Sequence, residues 1–343
     1  MKVLVTGAEG YIGHILRVIL VSAGYDITGL DTGYYREGWL YTDPDTRVIP
    51  RNISKDLRRI TEADLQGYDT VIHLAELSND PLGEYIPEIT FDINHKGSVA
   101  LAAMAKAAGV SRFIYTSSCS VYGVADGVVD EKSKVNPLTS YAKCKVLVEK
   151  EVSEMADSGF SPVFLRNATA YGASPRMRFD IVLNNLAGSA WTTRTIAMTS
   201  DGSPWRPLVH VRDICKAIQC VMEAPVDAVH AEIFNVGSTR SNYQIREIAE
   251  IIAEVFSGCE LSFGPSGNDD RSYQVNFDKI LRQLPGFQCD WNARKGAEEL
   301  KQVFERVQMS PETFDFRPYT RLKALSHLQE TGQINSELYW SQW

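Results

Sequence analysis

The stretch Thr6-Gly7-Ala8-Glu9-Gly10-Tyr11-Ile12-Gly13 decides how this chain of 343 residues folds. Before it lies the short apolar run Lys2–Thr6, which reads as a strand. After it, Tyr11–Ala23 carries Ile12, Ile15, Leu16 and Ile19 at helical spacing. Between a strand and a helix the three glycines have separate uses. Gly7 permits a tight turn, Gly10 lets the backbone approach a pyrophosphate, and Gly13 lets the helix pack close to the strand. The first helical turn, Tyr11 and Ile12, then offers free N–H groups and a partial positive charge to phosphate. A second strand, Asp26–Asp31, ends on an acid about 20 residues further on, as a dinucleotide site requires. A carboxylate at Asp31 accepts hydrogen bonds from both adenosine ribose hydroxyls and repels a 2′-phosphate, which favours NAD over NADP. Arg36, on the following loop, favours the 2′-phosphate only if it turns inward.

Outward from this loop, strands and helices alternate. Thr70–Ala75 and Arg112–Ser117 read as buried strands, with the Ala-rich helix Ile93–Ala108 between them and Gly109 at its C-terminal end. Thr139–Ala156 reads as a helix and Pro162–Arg166 as the next strand. The pattern predicts an α/β fold, a doubly wound parallel sheet of the Rossmann type covered on both faces. Gly, Pro and Asn become frequent after Arg166, and helical stretches recur at Phe179–Trp191, Asp213–Glu223, Gln244–Phe256 and Lys295–Val307. The expected division is a dinucleotide domain over 1–166, a smaller, partly interleaved substrate-binding lobe over 167–310, and a C-terminal segment over 311–343. Residues 208–224 are expected to pack back onto the first domain. The Tyr-, Trp- and Leu-rich final segment is too apolar for a disordered tail, so it docks on the body or on a second subunit.

The totals narrow the function. Asp and Glu outnumber Lys and Arg, giving a net charge of −8 with the basic residues scattered, so nucleic acid and anionic membranes are not expected partners. The six cysteines form no CxxC pair and no His cluster accompanies them, which argues against metal and disulfide frameworks and for a cytoplasmic setting. No signal-peptide pattern precedes Lys2 and no apolar run spans a membrane.

Tyr141 and Lys145 lie four residues apart in a helical stretch, hence on one face. A free tyrosine has a pKa of about 10 and is a poor base at neutral pH. An ammonium one turn away stabilises the phenolate, and the pair can then exchange a proton with a sugar hydroxyl while hydride moves to or from a nicotinamide. The run Thr116-Ser117-Ser118-Cys119-Ser120-Val121-Tyr122-Gly123 closes the fifth strand. Ligands sit at the carboxyl ends of parallel strands, so a hydroxyl from this run can orient the reacting oxygen.

With TGAEGYIG, Asp31, HLAELSNDP, Asn94, SSCSVYG, YAKCK, LRNATAYG, RPLVHVRD and FNVG in place, nearly the whole chain resembles the extended short-chain dehydrogenase/reductase family, in its sugar-nucleotide epimerase/dehydratase branch. The resemblance implies NAD as cofactor, a nucleotide-diphosphate sugar as substrate and a homodimer. It implies Ser118, Tyr141 and Lys145 as the catalytic set. Asn52 and Ile53 match the adenine-contacting Asp-Ile pair, with Asn in place of Asp. His73, Leu74 and Ala75 line the cofactor cleft in relatives, and Asn94 and Thr116 fall beside the cofactor. On the substrate side it implies Ser78, Asn167, Thr169, Arg178, Asn184, Asn185, Arg206 and Arg271, the arginines because a planar fork binds phosphate bidentately.

Several positions depart from the family pattern. Hexose 4,6-dehydratases carry Asp and Glu after the catalytic Ser/Thr, where this chain has Cys119 and Ser120, so that reaction is disfavoured. Thr169 replaces a substrate-contacting Asn found in many epimerases. Arg176 and Arg178 in Pro175-Arg176-Met177-Arg178-Phe179-Asp180 either touch substrate or tie the loop to Asp180. Glu76 stands where relatives often have Ala or Gly. It either faces the cleft and selects a sugar hydroxyl or is an outward loop carboxylate, the second being the expected position. His210 reads as structural and Asp213 as the cap of the helix after it. The combined expectation is an NAD-dependent epimerase acting at C4, with a net 4-dehydrogenase or 4-ketoreductase as the alternative. A non-catalytic NAD-binding scaffold is the reading from another class.

Overall fold

The computed structural model describes residues 1–42, 50–78, 80–265 and 272–341. Seven strands form the central sheet: β1 (Lys2–Thr6), β2 (Asp26–Asp31), β3 (Arg51–Ser54), β4 (Thr70–His73), β5 (Arg112–Ser118), β6 (Ser161–Asn167) and β7 (Ile233–Val236). All pairings are parallel, in the order β7-β6-β5-β4-β1-β2-β3. Helices cover both faces, so β4 and β6 are buried along their whole length. The order reverses between β1 and β4, which opens a crevice at the carboxyl ends of the strands. This is the expected Rossmann-type sheet.

Helix α1 (Tyr11–Ser22) follows β1 and buries Ile15, Leu16 and Leu20. The helix expected over Ile93–Ala108 has two parts, a π-helical turn over Phe91–Gly97 and then α2 (Ser98–Ala107). Gly109 follows the cap residue Ala108 with φ +83°, a conformation that favours glycine. Helix α3 (Ser140–Ser153) is capped by Thr139, whose hydroxyl accepts from Ala142 N at 3.2 Å. Helix α4 covers Val182–Thr193 and α5 covers Val211–Glu223. The start of α4 is later than the periodicity predicts because Phe179 N bonds to Tyr319 O at 2.8 Å instead. His210, not Asp213, caps α5, accepting from Arg212 N at 3.2 Å. Asp213 sits inside the first turn and accepts from the N–H groups of Asp290 and Trp291 at 3.0 and 3.3 Å.

The segment 208–224 meets the first half through Arg112. Arg112 Nη1 donates to the carbonyls of Val221, Met222 and Ala224 at 2.7, 2.8 and 2.9 Å, at the end of α5. The return goes further than the sequence indicates, because β7 completes the sheet edge beside β6. Four residues, Ile233-Phe234-Asn235-Val236, without periodicity do not announce a strand. One core cluster joins Val3 and Ile15 to Phe256 and Phe304, so the two halves share their interior. Smaller sheets pair Trp205–His210 with Thr169–Tyr171 and Asn242–Gln244, and Val124–Val129 with Ser272–Val275.

The C-terminal segment docks on the body. Trp340 Nε1 donates to Thr32 O at 2.8 Å, and Tyr34 donates its hydroxyl to Leu338 O. The Arg58 guanidinium bonds to Glu337 O at 2.8 Å and stacks 3.7 Å from the Tyr339 ring centre.

Candidate active site

A cleft of about 620 Å³ opens where the strand order reverses. Gly7, Gly10, Tyr11, Ile12 and Gly13 form one wall. Gly7 has φ +70°, and a Cβ there would lie 2.8 Å from Ala75 N. A Cβ on Gly13 would lie 2.2 Å from Gly7 O, so α1 can approach the loop only because that position is glycine. Asp31 lines the cleft and accepts from Glu9 N at 2.9 Å and Gly33 N at 2.7 Å, one bond on each oxygen. Each oxygen keeps a lone pair for a ribose hydroxyl. Burial raises the Asp31 pKa, while the two N–H groups oppose the rise. Arg36 does not turn inward onto Asp31. It pairs with Glu9 at 3.1 Å and reaches Ser54 Oγ at 3.2 Å.

The adenosine end differs from the expectation. Asn52 and Ile53 do not line the cleft; Lys55, Asp56 and Leu57 do. Asn52 pairs with Gly29 in the sheet, and its amide oxygen lies over that glycine, where a Cβ would be 2.4 Å away. The chain reaches the crevice only after β3 ends at Ser54. Asp56 accepts from Arg58 N at 2.8 Å and pairs with the Arg58 guanidinium at 2.8 Å. The docked C-terminal segment therefore buttresses this end through Arg58. It also supplies Arg321, a cleft-lining guanidinium pushed down to about 10 by burial and by the neighbouring Arg178.

Leu74 and Ala75 line the cleft. Their strand stops at His73 because the Leu74 and Ala75 N–H groups turn to the Thr6 hydroxyl, at 3.2 and 3.3 Å. His73 is buried behind them, held between Thr6 Oγ1 at 2.6 Å and Ser98 Oγ at 2.8 Å. Burial, and then Lys145, push its pKa down to about 3, so it is a neutral spacer. Asn94 is not on the cleft surface. Its side-chain amide brackets Leu77, accepting from Leu77 N at 2.8 Å and donating to Leu77 O at 2.9 Å. It shapes the loop that carries the cleft residues, from the π-helical turn.

The helix α3 brings Tyr141 and Lys145 into the cleft beside Ser118, at the end of β5. Ser118 lies close enough to Tyr141 to lower its pKa, and the Ser118 hydroxyl accepts from Ser120 N at 3.1 Å. Lys145 Nζ lies 5.3 Å from the Tyr141 ring centre and donates to Thr116 O at 2.5 Å. The Thr116 hydroxyl donates to His73 O at 2.9 Å, which ties β5 to β4 at this level. Glu76 overturns its expectation. It is not an outward loop carboxylate but a cleft residue, its side chain 3% exposed. Its Oε2 lies 2.5 Å from Lys145 Nζ, and its Oε1 accepts from Tyr115 OH at 2.6 Å. The expected lowering of the Tyr141 pKa is therefore absent here. Burial pushes that phenol well up, Glu76 and Asp80 push it further, and the nearby Ser118 hydroxyl and Arg178 oppose them.

On the substrate side, Ser78, Asn167, Thr169, Arg178 and Arg206 line the cleft. The amide oxygen of Asn167 and the hydroxyl of Ser120 are buried with no hydrogen-bond partner among the described residues. Both are therefore available to a ligand. Arg178 pairs with Asp180 at 2.8 Å and reaches Ser78 Oγ at 3.1 Å, so it both ties the loop and faces the cleft. Arg176 does not face it. Its guanidinium donates to Arg36 O and, at 3.1 Å, to Gly38 O. Asn184 and Asn185 are also turned away. Asn184 is spent on Gly172 N at 3.0 Å and Arg178 O at 3.0 Å, and Asn185 on Phe179 O at 2.9 Å. They fix the 172–179 loop rather than grip a diphosphate. Arg271 lies outside the described residues. Cys119 is a buried small residue, with Sγ donating to Arg166 O at 3.1 Å and burial pushing its thiol up.

Sequence reasoning missed Asp56 and Arg321 and misplaced Glu76. Glu76 follows Ala75 directly, so its neighbour already pointed to the cleft. Arg321 has no local signal, because only the docking of the C-terminal segment brings it there.

A family model described as the NAD dependent epimerase/dehydratase family matches residues 3–237. A UDP-glucose 4-epimerase of Neisseria gonorrhoeae is 27% identical over 342 residues, covering 88% of this chain and 95% of the relative. A UDP-glucose 4-epimerase of Corynebacterium glutamicum is 27% identical over 276 residues, covering 74% of this chain and 80% of the relative. The solved structure of MoeE5 in complex with UDP-glucuronic acid and NAD superposes with a TM-score of 0.77 at 28% identity, covering 89% of this chain and 99% of that one. The chain belongs to the NAD dependent epimerase/dehydratase family.

Proposed function

We propose that this chain is an NAD-dependent nucleotide-sugar epimerase that inverts C4 through a 4-keto sugar. The observation that carries the reading is that Ser118, Tyr141 and Lys145 converge on the same cleft as the glycine loop. The glycine wall and the Asp31 lone pairs fit NAD, which supplies a hydride acceptor and donor when bound. Tyr141 takes the C4 hydroxyl proton and later returns it, while Ser118 holds the same oxygen. Arg178 and Arg206 suit the diphosphate that anchors the sugar as it rotates. Cys119 and Ser120 leave no carboxylate at the two positions after Ser118 where 4,6-dehydratases carry Asp and Glu, which argues against that reaction.

The test is NMR of a nucleotide-sugar panel that begins with UDP-hexoses, incubated with the NAD-loaded protein. The expected result is the C4 epimer with no net change in NADH. Stoichiometric NADH would make the protein a 4-dehydrogenase instead. Tight NAD binding without turnover of any nucleotide sugar would leave only a scaffold.

We also infer a homodimer. On α2 the residues Ala100, Ala103 and Ala107 are exposed at spacings of three and four, a smooth face on which a second copy can pack. Light scattering on the eluting protein is expected to give twice the 38.3 kDa chain mass. A cytoplasmic setting accords with the six thiols, all free. Among the described residues no helix is long and apolar enough to cross a membrane.

A further inference from the structure

We propose that Glu76 is a positioning residue, the counter-ion that fixes the Lys145 head group and so sets the charge that Tyr141 faces in the cleft. Lys145 has three N–H donors. One goes to Thr116 O at 2.5 Å, and Glu76 Oε2 stands 2.5 Å from the same nitrogen as its buried ion-pair partner. Glu76 is itself held, since Tyr115 OH donates to its other oxygen at 2.6 Å. Both partners of the ion pair are buried, at 4% and 3% exposure, so the interaction is little screened by water.

The pairing changes what Lys145 does to its neighbour. An unpaired ammonium stabilises a phenolate, whereas an ammonium neutralised at 2.5 Å presents only a dipole. The groups that face Tyr141 come from every element around it. Glu76 comes from the loop after β4, Asp80 from the short helix Asp80–Tyr85, Ser118 from β5, Arg178 from the 172–180 loop and Lys145 from α3 itself. Around the Glu76–Lys145 pair stand Tyr115 on β5 and the neutral His73 on β4. The two acids destabilise the phenolate, and Glu76 ranks above Asp80. A protonated Tyr141 is the form that donates to a 4-keto oxygen, and it does not take a proton from an empty site.

The consequence for turnover rests on the proposed epimerase reading, but the effect on the phenol does not. The test therefore begins without sugar. Ultraviolet difference absorbance between wild type and Tyr141→Phe reports ionisation of that one phenol, and the same difference is taken in the Glu76→Gln background. Glu76→Gln keeps a hydrogen-bonding group on Lys145 and Tyr115 but removes the charge. Tyr141 is expected to ionise at least about one pH unit lower in Glu76→Gln, the scale of a nearby charge. Glu76→Asp, which keeps the charge, is expected to remain close to wild type. In turnover, the acid limb of the kcat profile moves to lower pH by the same amount, because the proton-accepting phenolate is reached sooner. Thermal melting confirms that each variant is folded. An unchanged ionisation in folded Glu76→Gln overturns the proposal, as does an equal shift in Glu76→Asp. A shifted phenol in a protein that turns over no nucleotide sugar upholds the role of Glu76 and refutes the epimerase reading instead.

Discussion

The Tyr141→Phe protein is expected to bind NAD with nearly unchanged affinity and to lose turnover by about 10²–10⁴-fold, the span that a positioned proton-transfer group contributes. The ring remains beside Lys145, and the backbone and Cβ of residue 141 still pack against Gly83 of the neighbouring helix. Only the hydroxyl that meets Ser118 is removed. The loss should fall on kcat, since the interaction is made to the reacting oxygen and strengthens in the transition state. Calorimetry with NAD and steady-state rates on a converted nucleotide sugar check both halves. Near wild-type kcat would sink the assignment of Tyr141 as the base.

A second large effect is expected on stability. Glu149, two turns along α3 from Tyr141, forms a buried fork with Arg166 on β6, with Nη2 at 2.6 Å and Nε at 3.0 Å. Both side chains are 5% exposed. Ser117, next to Ser118, donates to the same carboxylate at 2.5 Å, and Arg166 reaches Tyr122 OH at 3.1 Å. Glu149→Ala leaves the guanidinium buried without its counter-ion, which costs about 3–5 kcal/mol. That is a large share of the ~5–15 kcal/mol that holds a typical domain folded. Denaturant unfolding should show the loss. A double variant, Glu149→Leu with Arg166→Met, should recover most of it, because the isolated charge and not the missing bond carries the cost. Equal destabilisation in the single and double variants would refute this account.

The glycine loop, Asp31 and the Tyr141–Lys145 spacing were legible because each is local. A turn, a strand end and one helical turn are written in a few adjacent residues. The sheet was legible for the same reason, through alternating apolar runs, except β3 and β7, four-residue strands that carry no period. The adenosine end was not, because it depends on where β3 stops. A resemblance fixed on Asn52-Ile53 points at a strand interior, and the chain turns toward the crevice only at Lys55. Asn184 and Asn185 look like ligand contacts in one dimension but are consumed by carbonyls of a loop that folds back on them. Glu76 was misplaced because a carboxylate in a loop reads as solvated unless its partners are known. Those partners, Lys145 and Tyr115, are 69 and 39 positions away.

The docked segment that brings Arg321 to the cleft and Trp340 to Thr32 also sets an order of events during synthesis. Ribosomes add about 5–20 residues per second, and domains fold as they emerge. Every strand of the sheet and the whole glycine loop are made before Arg321 and Trp340. A nascent chain with its sheet complete still lacks the cover over its adenosine end, so firm retention of the dinucleotide waits until Arg321 and Trp340 have been made. The same arrangement bears on how the protein is handled. A purification tag or fusion partner joined at the carboxyl end hangs from the cover of the cofactor cleft. One joined before Met1 hangs from the opposite end of β1, away from the carboxyl ends of the strands.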